Sequence, residues 1–335
     1  MVPLSRTTQL LPATDSAIAA GAAILRRGGL VALPTETVYG LGADAENVAA
    51  VQAMFAAKGR PADHPVIVHL AAAEQISLWA RDIPAAAWQL AAAFWPGPMT
   101  LVLPRSPKAG DFVTGGLDTV GLRVPGHPAA LALLRAFGGA IAAPSANRFG
   151  HVSPTTAEHV RDELSGFVDL ILDGGPCQVG LESTIIDLSR GDPAILRPGG
   201  ITADKVAAVL RGALGQRGAH SPRVSGSLES HYAPRATVEL ITRSELAIRA
   251  AQLAGQGHRV AVLARPGDLG ELPAGVQAII LPAGDENLAR ELYAALRRVD
   301  ELGCGVALAT LPAETGLGVA IADRLRRAAG PRESV

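Results

Sequence analysis

Apolar positions in this chain recur with a helical period in some stretches and fill short unbroken runs in others, and the two kinds of stretch alternate. Between Asp15 and Arg27, Ile18, Ala22 and Leu25 share one helix face, a Thr/Asp pair opens the segment and Gly28-Gly29 closes it, which predicts a helix. Leu30 to Leu33 is wholly apolar and predicts a short buried strand running into the polar sequence PTET. The same reading predicts helices over 49–57, 84–95, 127–137, 156–164 and 202–214, the second with Pro84 in its first turn. It predicts strands over 66–70, 100–103, 120–124, 140–143, 168–172, 184–188 and 194–196. Links of both crossover and hairpin length join them, so the expected fold class is α/β with a twisted, mixed sheet.

The pattern breaks over 215–234, GQRGAHSPRVSGSLESHYAP, where Gly, Ser, Pro and Arg replace periodic apolar positions. Such a stretch is normally a linker or a functional loop. Beyond it, strands at 237–241, 260–263, 276–281 and 306–310 alternate with helices near 244–254, 286–302 and 317–328. Leu288, Leu292, Leu296 and Val299 give the second of these helices an apolar face. The expected organisation is a first domain over 1–214, a linker over 215–236 and a small Rossmann-like α/β/α domain over 237–335. A chain of 335 residues has room for two such cores.

Composition narrows the function. Aromatic residues make up 4% of the chain and the formal net charge is −1. Neither a base-stacking platform nor a global field for nucleic acid is therefore expected. Cys177 and Cys304 lie far apart in no metal-ligand spacing, so a disulfide framework or zinc site is not expected, although Cys177 sits in a loop between two motifs. The first sixteen residues lack a signal-peptide pattern and no apolar run approaches the ~20 residues that span a bilayer, so the expected location is the cytoplasm.

The chemistry concentrates in turns. In KGRPADHPVIVH, Lys58 and Arg60 flank a glycine at the mouth of a turn, a point charge and a planar fork suited to a phosphate chain, and His69 ends the following strand. In PTETVYGLGADA the hydroxyls of Thr35 and Thr37 either cap a strand-to-helix loop or wall a small polar ligand. Arg123 ends a strand in GLRVP, where its fork suits a carboxylate. APSANRFGHVSPT carries Ser145 and Asn147 after a small-residue strand, with Ser153 or Thr155 as the expected cap of the next helix. GLESTIID and ILRPGG each add one polar group, Ser183 and Arg197. No GxxxxGK[ST], no GxGxxG after the first strand and no GxSxG is present, which argues against a P-loop, a standard dinucleotide site and a serine hydrolase.

In this order, the motifs resemble the YrdC-like family, in its long form with an added C-terminal domain, over roughly 14–211 and at HYAP, 231–234. The resemblance implies a positively charged cavity on a twisted sheet that holds ATP, L-threonine and bicarbonate. It implies a reaction that makes L-threonylcarbamoyladenylate and releases pyrophosphate, with Mg²⁺ expected on the phosphates and no protein ligand for it identified. The product would pass to a downstream transferase that modifies adenosine in transfer RNAs reading ANN codons. The family's Lys-Arg-Ser-Asn tetrad falls on Lys58, Arg60, Ser145 and Asn147. Its threonine-binding positions fall on Thr35, His69, Arg123, the Ala143 backbone and Ser183. Further ATP contacts fall on Thr119, Ser153, Arg197 and Tyr232. The family's linker often reads SPGMxYxHYAP where this chain has SPRVSGSLESHYAP, without the Met and first Tyr. The linker is expected to act as a lid that shields a hydrolytically fragile adenylate from water. The rival reading is an RNA-binding or ribosome-maturation factor that grips phosphates in the same cavity, and weak RNA binding would be its trace. A second rival, a carbamoyl-adenylate enzyme for another acceptor, would be expected to bring acylphosphatase-like and zinc-finger segments.

Overall fold

The computed structural model describes residues 6–215, 218, 221–226, 231–267 and 272–331. Two compact units are present. The first comprises Met1–Phe149, Pro154–Gln178 and Glu182–Ser227, and the second Gly150–Ser153, Val179–Leu181 and Leu228–Val335.

The strands of the first unit are β1 (Gln9–Pro12), β2 (Val31–Leu33), β3 (Gly40–Asp44), β4 (Ile67–His69), β5 (Met99–Pro104), β6 (Thr119–Arg123), β7 (Ile141–Ala142), β8 (Leu170–Asp173), β9 (Thr184–Asp187) and β10 (Ala194–Arg197). Its helices are α1 (Asp15–Arg26), α2 (Val48–Lys58), α3 (Ile76–Trp79), α4 (Ala85–Phe94), α5 (Asp111–Thr114), α6 (Pro128–Phe137), α7 (Ala157–Leu164) and α8 (Ala203–Leu210). The strands form one mixed sheet in the order β1-β8-β2-β3-β7-β4-β6-β5-β9-β10. The period-2 rule sorts its faces. Val31, Leu33, Leu170 and Leu172 join Ile18, Ala22, Leu133 and Leu134 of α1 and α6 on one face. Leu30, Ala32 and Ile171 join the larger cluster around Met54, Leu90 and Val160 on the other.

Two strands depart from the sequence expectation. β1 was not expected, and β3 lies inside PTETVYGLGADA, which reads as a loop. β3 is glycine-rich because it is squeezed: a Cβ on Gly42 would stand 2.9 Å from Ile141 and 3.0 Å from both Leu33 and the Val31 carbonyl. The short helices α3 and α5 were also not expected. The cap of α7 is neither Ser153 nor Thr155 but Thr156, whose hydroxyl accepts from the His159 N–H at 3.3 Å. Thr156 alone has the extended backbone immediately before the first helical turn.

The second unit holds β11 (Thr237–Leu240), β12 (Val260–Ala264), β13 (Gln277–Ile280) and β14 (Val306–Ala309) with α9 (Leu246–Gly255), α10 (Asp285–Glu301) and α11 (Gly318–Ala328). All strand pairs are parallel, in the order β11-β14-β12-β13, as the Rossmann-like reading expects. Helix α9 packs on β12 and β14, whereas α11 packs on β11 and α10. Among the described residues no helix is long and apolar enough to cross a membrane.

Candidate active site

The KGR turn is built by the end of α2. Gly59 takes the left-handed conformation at φ 63°, its N–H bonds the Ala56 carbonyl, and the Arg60 N–H reaches back to Phe55. This double closure ends the helix, leaves Lys58 on its last turn and starts Arg60 in a new direction. Both side chains turn inward and are buried. The Lys58 Nζ donates to the Ser145 carbonyl at 2.5 Å and to the Asn147 carbonyl. The Phe149 N–H returns a bond to the Lys58 carbonyl, and the Ala146 N–H bonds Tyr39, so the SAN loop is tied to both α2 and the start of β3. Arg60 donates to the Pro65 carbonyl at 2.8 Å and lies over the Phe55 ring. Burial, and then the neighbouring Arg60 charge, hold the Lys58 ammonium well below the usual lysine range.

A second cluster spans β4 and β6. His69 and Arg123 are register partners on these parallel strands, and the Ala143 N–H joins them by bonding the Ile67 carbonyl at 3.0 Å. The His69 Nδ1 is buried without a hydrogen-bond partner. Burial and the Arg123 charge push its pKa down to about 3, so the imidazole is neutral at physiological pH. Arg123 was expected as an open fork, but one edge is already engaged. Its Nη2 donates to Glu36 Oε1 at 2.7 Å and its Nε to the Gly97 carbonyl at 3.2 Å. Glu36 Oε2 accepts from the Gly126 N–H at 2.9 Å. Glu36 is the residue that sequence reasoning missed. It was visible as the acid within PTET, but its partner lies on another strand. Burial, then the Glu36 charge, raises the Cys177 thiol far above its ordinary range, which makes it a poor nucleophile.

Thr35 spends its hydroxyl locally: it donates to the Val38 carbonyl at 2.6 Å and meets the Thr37 hydroxyl at 2.7 Å. Ser183 shares a 2.7 Å hydrogen bond with Thr100, and Arg197 clamps it through both the Ser183 hydroxyl and carbonyl. Arg197 also donates to the Ser225 carbonyl at 2.9 Å. That bond docks the described part of the linker on the first unit. Arg223 faces Asp63 at 3.8 Å, and Val224 packs on Val102, Ile185 and Leu196. Between Arg223–Ser225 and the sheet positions Thr100, Thr119 and Gly121 a cavity of about 20 Å³ remains, room for roughly one water molecule. The linker residues 216, 217, 219, 220 and 227–230 lie outside the described residues.

Ser153 and Tyr232 belong to the second unit. Tyr232 is 1% exposed, its φ is 62°, and its ring packs against His231, Tyr293 and the Arg324 guanidinium. The Ala233 N–H bonds the Gly150 carbonyl, which seats HYAP beside 150–153 within that unit.

Among its described residues the first unit thus gathers buried cations, hydroxyls and the neutral His69, with no nucleophile–base pair. Comparison with known proteins places that arrangement. A family model covering Sua5, YciO and YrdC, described as "Telomere recombination", matches residues 23–199. A second, described as "Threonylcarbamoyl-AMP synthase, C-terminal domain", matches residues 201–330. The chain belongs to the Sua5/YciO/YrdC family. Family relatives run nearly its full length. A threonylcarbamoyl-AMP synthase of Pyrococcus abyssi is 42% identical over 94% of both chains. One of Bacillus subtilis is 43% identical over 97% of this chain and 96% of its own. The crystal structure of P. abyssi Sua5 complexed with L-threonine superposes with a TM-score of 0.88, at 40% identity over 96% of each chain.

Proposed function

We infer that this chain joins ATP, L-threonine and bicarbonate into L-threonylcarbamoyladenylate and releases pyrophosphate. The observation that carries this reading is the near full-length likeness to a structure holding L-threonine. The threonine amine captures carbon dioxide released from bicarbonate, forming a carbamate. A carbamate oxygen then attacks the α-phosphorus of ATP, the bond to the β-phosphate oxygen breaks, and pyrophosphate departs.

No covalent enzyme intermediate is required, so position and charge do the work. Lys58 and Arg60 are both buried, and the Arg60 charge is one of the causes that lower the Lys58 pKa. Phosphate oxygens arriving there relieve that repulsion, and relief grows as pyrophosphate charge develops. Ser145 and Asn147 hold Lys58 and present their own polar groups beside it. Arg123, aimed by Glu36, takes the threonine carboxylate with its remaining N–H groups, and the unpartnered His69 nitrogen meets the substrate nearby. Thr35, Ala143 and Ser183 complete the threonine side of a positively charged cavity, and Thr119 and Arg197 the nucleotide side within the first unit.

Magnesium would arrive on the ATP phosphates. Among the described residues no group of three or more His, Cys, Asp or Glu side chains could hold a metal ion, so these residues do not form a dedicated magnesium cage. The product would pass to a transferase acting on adenosine of transfer RNAs reading ANN codons, which places the enzyme in the cytoplasm with its substrates.

The test is pyrophosphate release from ATP and bicarbonate, comparing threonine with serine, valine and no amino acid. Threonine should give the highest rate. Lys58→Ala should cut that rate by ~10²-fold or more, a far larger effect than its cost in stability, which comes from the two loop carbonyls it leaves unbonded. Release that is independent of the amino acid would overturn the reading.

A further inference from the structure

Thr100, the last residue of WPGPMT, has no part in the chemistry above, yet strand register carries it to the middle of the site. On β4 and β6, His69 stands opposite Arg123. Between β5 and β6, Val102 pairs with Gly121, and the same pairing two residues on sets Thr100 opposite Arg123. Thr100 in turn pairs with Ile185 of β9, and Ile185 with Arg197 of β10. Cross-strand partners share a sheet face, so one row runs from His69 through Arg123 and Thr100 to Ile185, with Arg197 beyond it. Neighbouring strands lie about 4.8 Å apart, which places Thr100 one strand from Arg123 and two from Arg197.

Hydrogen-bond accounting points the same way. Thr100 and Ser183 are buried, and their hydroxyls meet at 2.7 Å. Arg197 Nη2 donates to the Ser183 hydroxyl oxygen at 3.2 Å. Each hydroxyl brings one proton, and the bond between them uses one of the two. Whichever way that bond runs, the other O–H has no acceptor among the described residues. Thr100 lines the cavity of about 20 Å³ above the sheet, and Ser183 does not. Donation from Arg197 to Ser183 and from Ser183 to Thr100 therefore leaves the spare O–H beside that space. A buried donor so placed is satisfied by an oxygen of a bound ligand.

We propose that Thr100 is a catalytic residue whose hydroxyl donates a hydrogen bond to an α-phosphoryl oxygen of the nucleotide as the carbamate attacks. This rests on the function inferred above, in which Arg123 takes the threonine carboxylate and Arg197 lies on the nucleotide side. The row position between them is where the two substrates meet. Thr100 keeps its proton and forms no covalent bond. Its hydrogen bond strengthens as charge gathers on the phosphoryl oxygens, and the Arg197–Ser183 chain behind it polarises the hydroxyl further.

Steady-state pyrophosphate release by the full chain tests this, with Thr100→Val, Thr100→Ala and Thr100→Ser. Valine keeps the shape and removes the hydroxyl. It should lower kcat about tenfold or more while KM for ATP and for threonine stay within about threefold. Alanine should do the same, so the test survives if valine disturbs packing, and serine, which restores the O–H, should recover most of the lost kcat. Thermal melting establishes that each variant is folded. ATP with sulfur in place of one or the other α-oxygen gives a readout that packing would not move: the rate gap between the two diastereomers should narrow in Thr100→Val. Release by the unaltered chain that ignores threonine would overturn the function itself, before any variant is compared. Given threonine-dependent release, four results would each overturn the role of Thr100: kcat of the Val and Ala variants within about twofold of the unaltered chain, a loss carried by KM alone, no recovery with serine, or an unchanged diastereomer gap.

Discussion

Arg123 and Glu36 lie 87 residues apart in sequence and meet at 2.7 Å with both side chains nearly water-free. Separating such a pair leaves a charge buried alone, which typically costs ~3–5 kcal/mol, whereas removing both partners costs far less than twice that. Glu36→Ala should therefore destabilise the fold by about 3 kcal/mol, and Arg123→Met by a similar amount. The double variant should fall well short of their sum. Urea unfolding of the four proteins measures the coupling, and simple additivity would show that the two charges do not depend on each other. Arg123 and Glu36 were each visible in a quoted motif. What the residue string did not reveal was that one motif's acid holds the other motif's base.

At the scale of the element, the last turn of α2 decides where two cations point. A Cβ added at Gly59 would meet nothing within 4 Å, so the cost of any side chain there is conformational rather than steric. Gly59→Ala should lower stability by ~1 kcal/mol, and Gly59→Asn by less, since Asn tolerates the left-handed region better. Thermal or chemical denaturation checks this, and equal losses for the two would mean that crowding, not φ, sets the cost. Helices such as α1 and α10 were legible because their apolar period and caps are local. β3 was not, because a strand of glycine, leucine and alanine carries no β-branched signature and exists only by pairing with β2 and β7.

In the whole molecule, the linker does more than join two cores. Val224 sits on an apolar patch of the first unit, and Arg223–Ser225 leave space for about one water above Thr119. On the proposal that the nucleotide reaches Thr119, it cannot share that space, and the segment should move when ATP binds. Trypsin should cut after Arg223 faster with ATP present, and threonine alone should leave the rate unchanged. A cleavage rate indifferent to ATP would place the nucleotide elsewhere. The docked position of this segment is held by the Arg197 bond to Ser225 and the Val224 packing.

The amino-acid sequence by itself determined the α/β class, the two cores, most helices and strands, and the set of polar turns from which the site is made. All of these rest on local signals: periodicity, caps, glycines that release φ, and the residue types in each turn. Tertiary structure alone decided who pairs with whom. The Lys58 ammonium is caged by carbonyls of a loop 87 and 89 residues away, His69 is neutral because it is buried beside Arg123, and Tyr232 belongs to the packed interior of the second unit. Those outcomes depend on strand order and register, and on the loss of water that packing brings. No short window of sequence encodes such quantities.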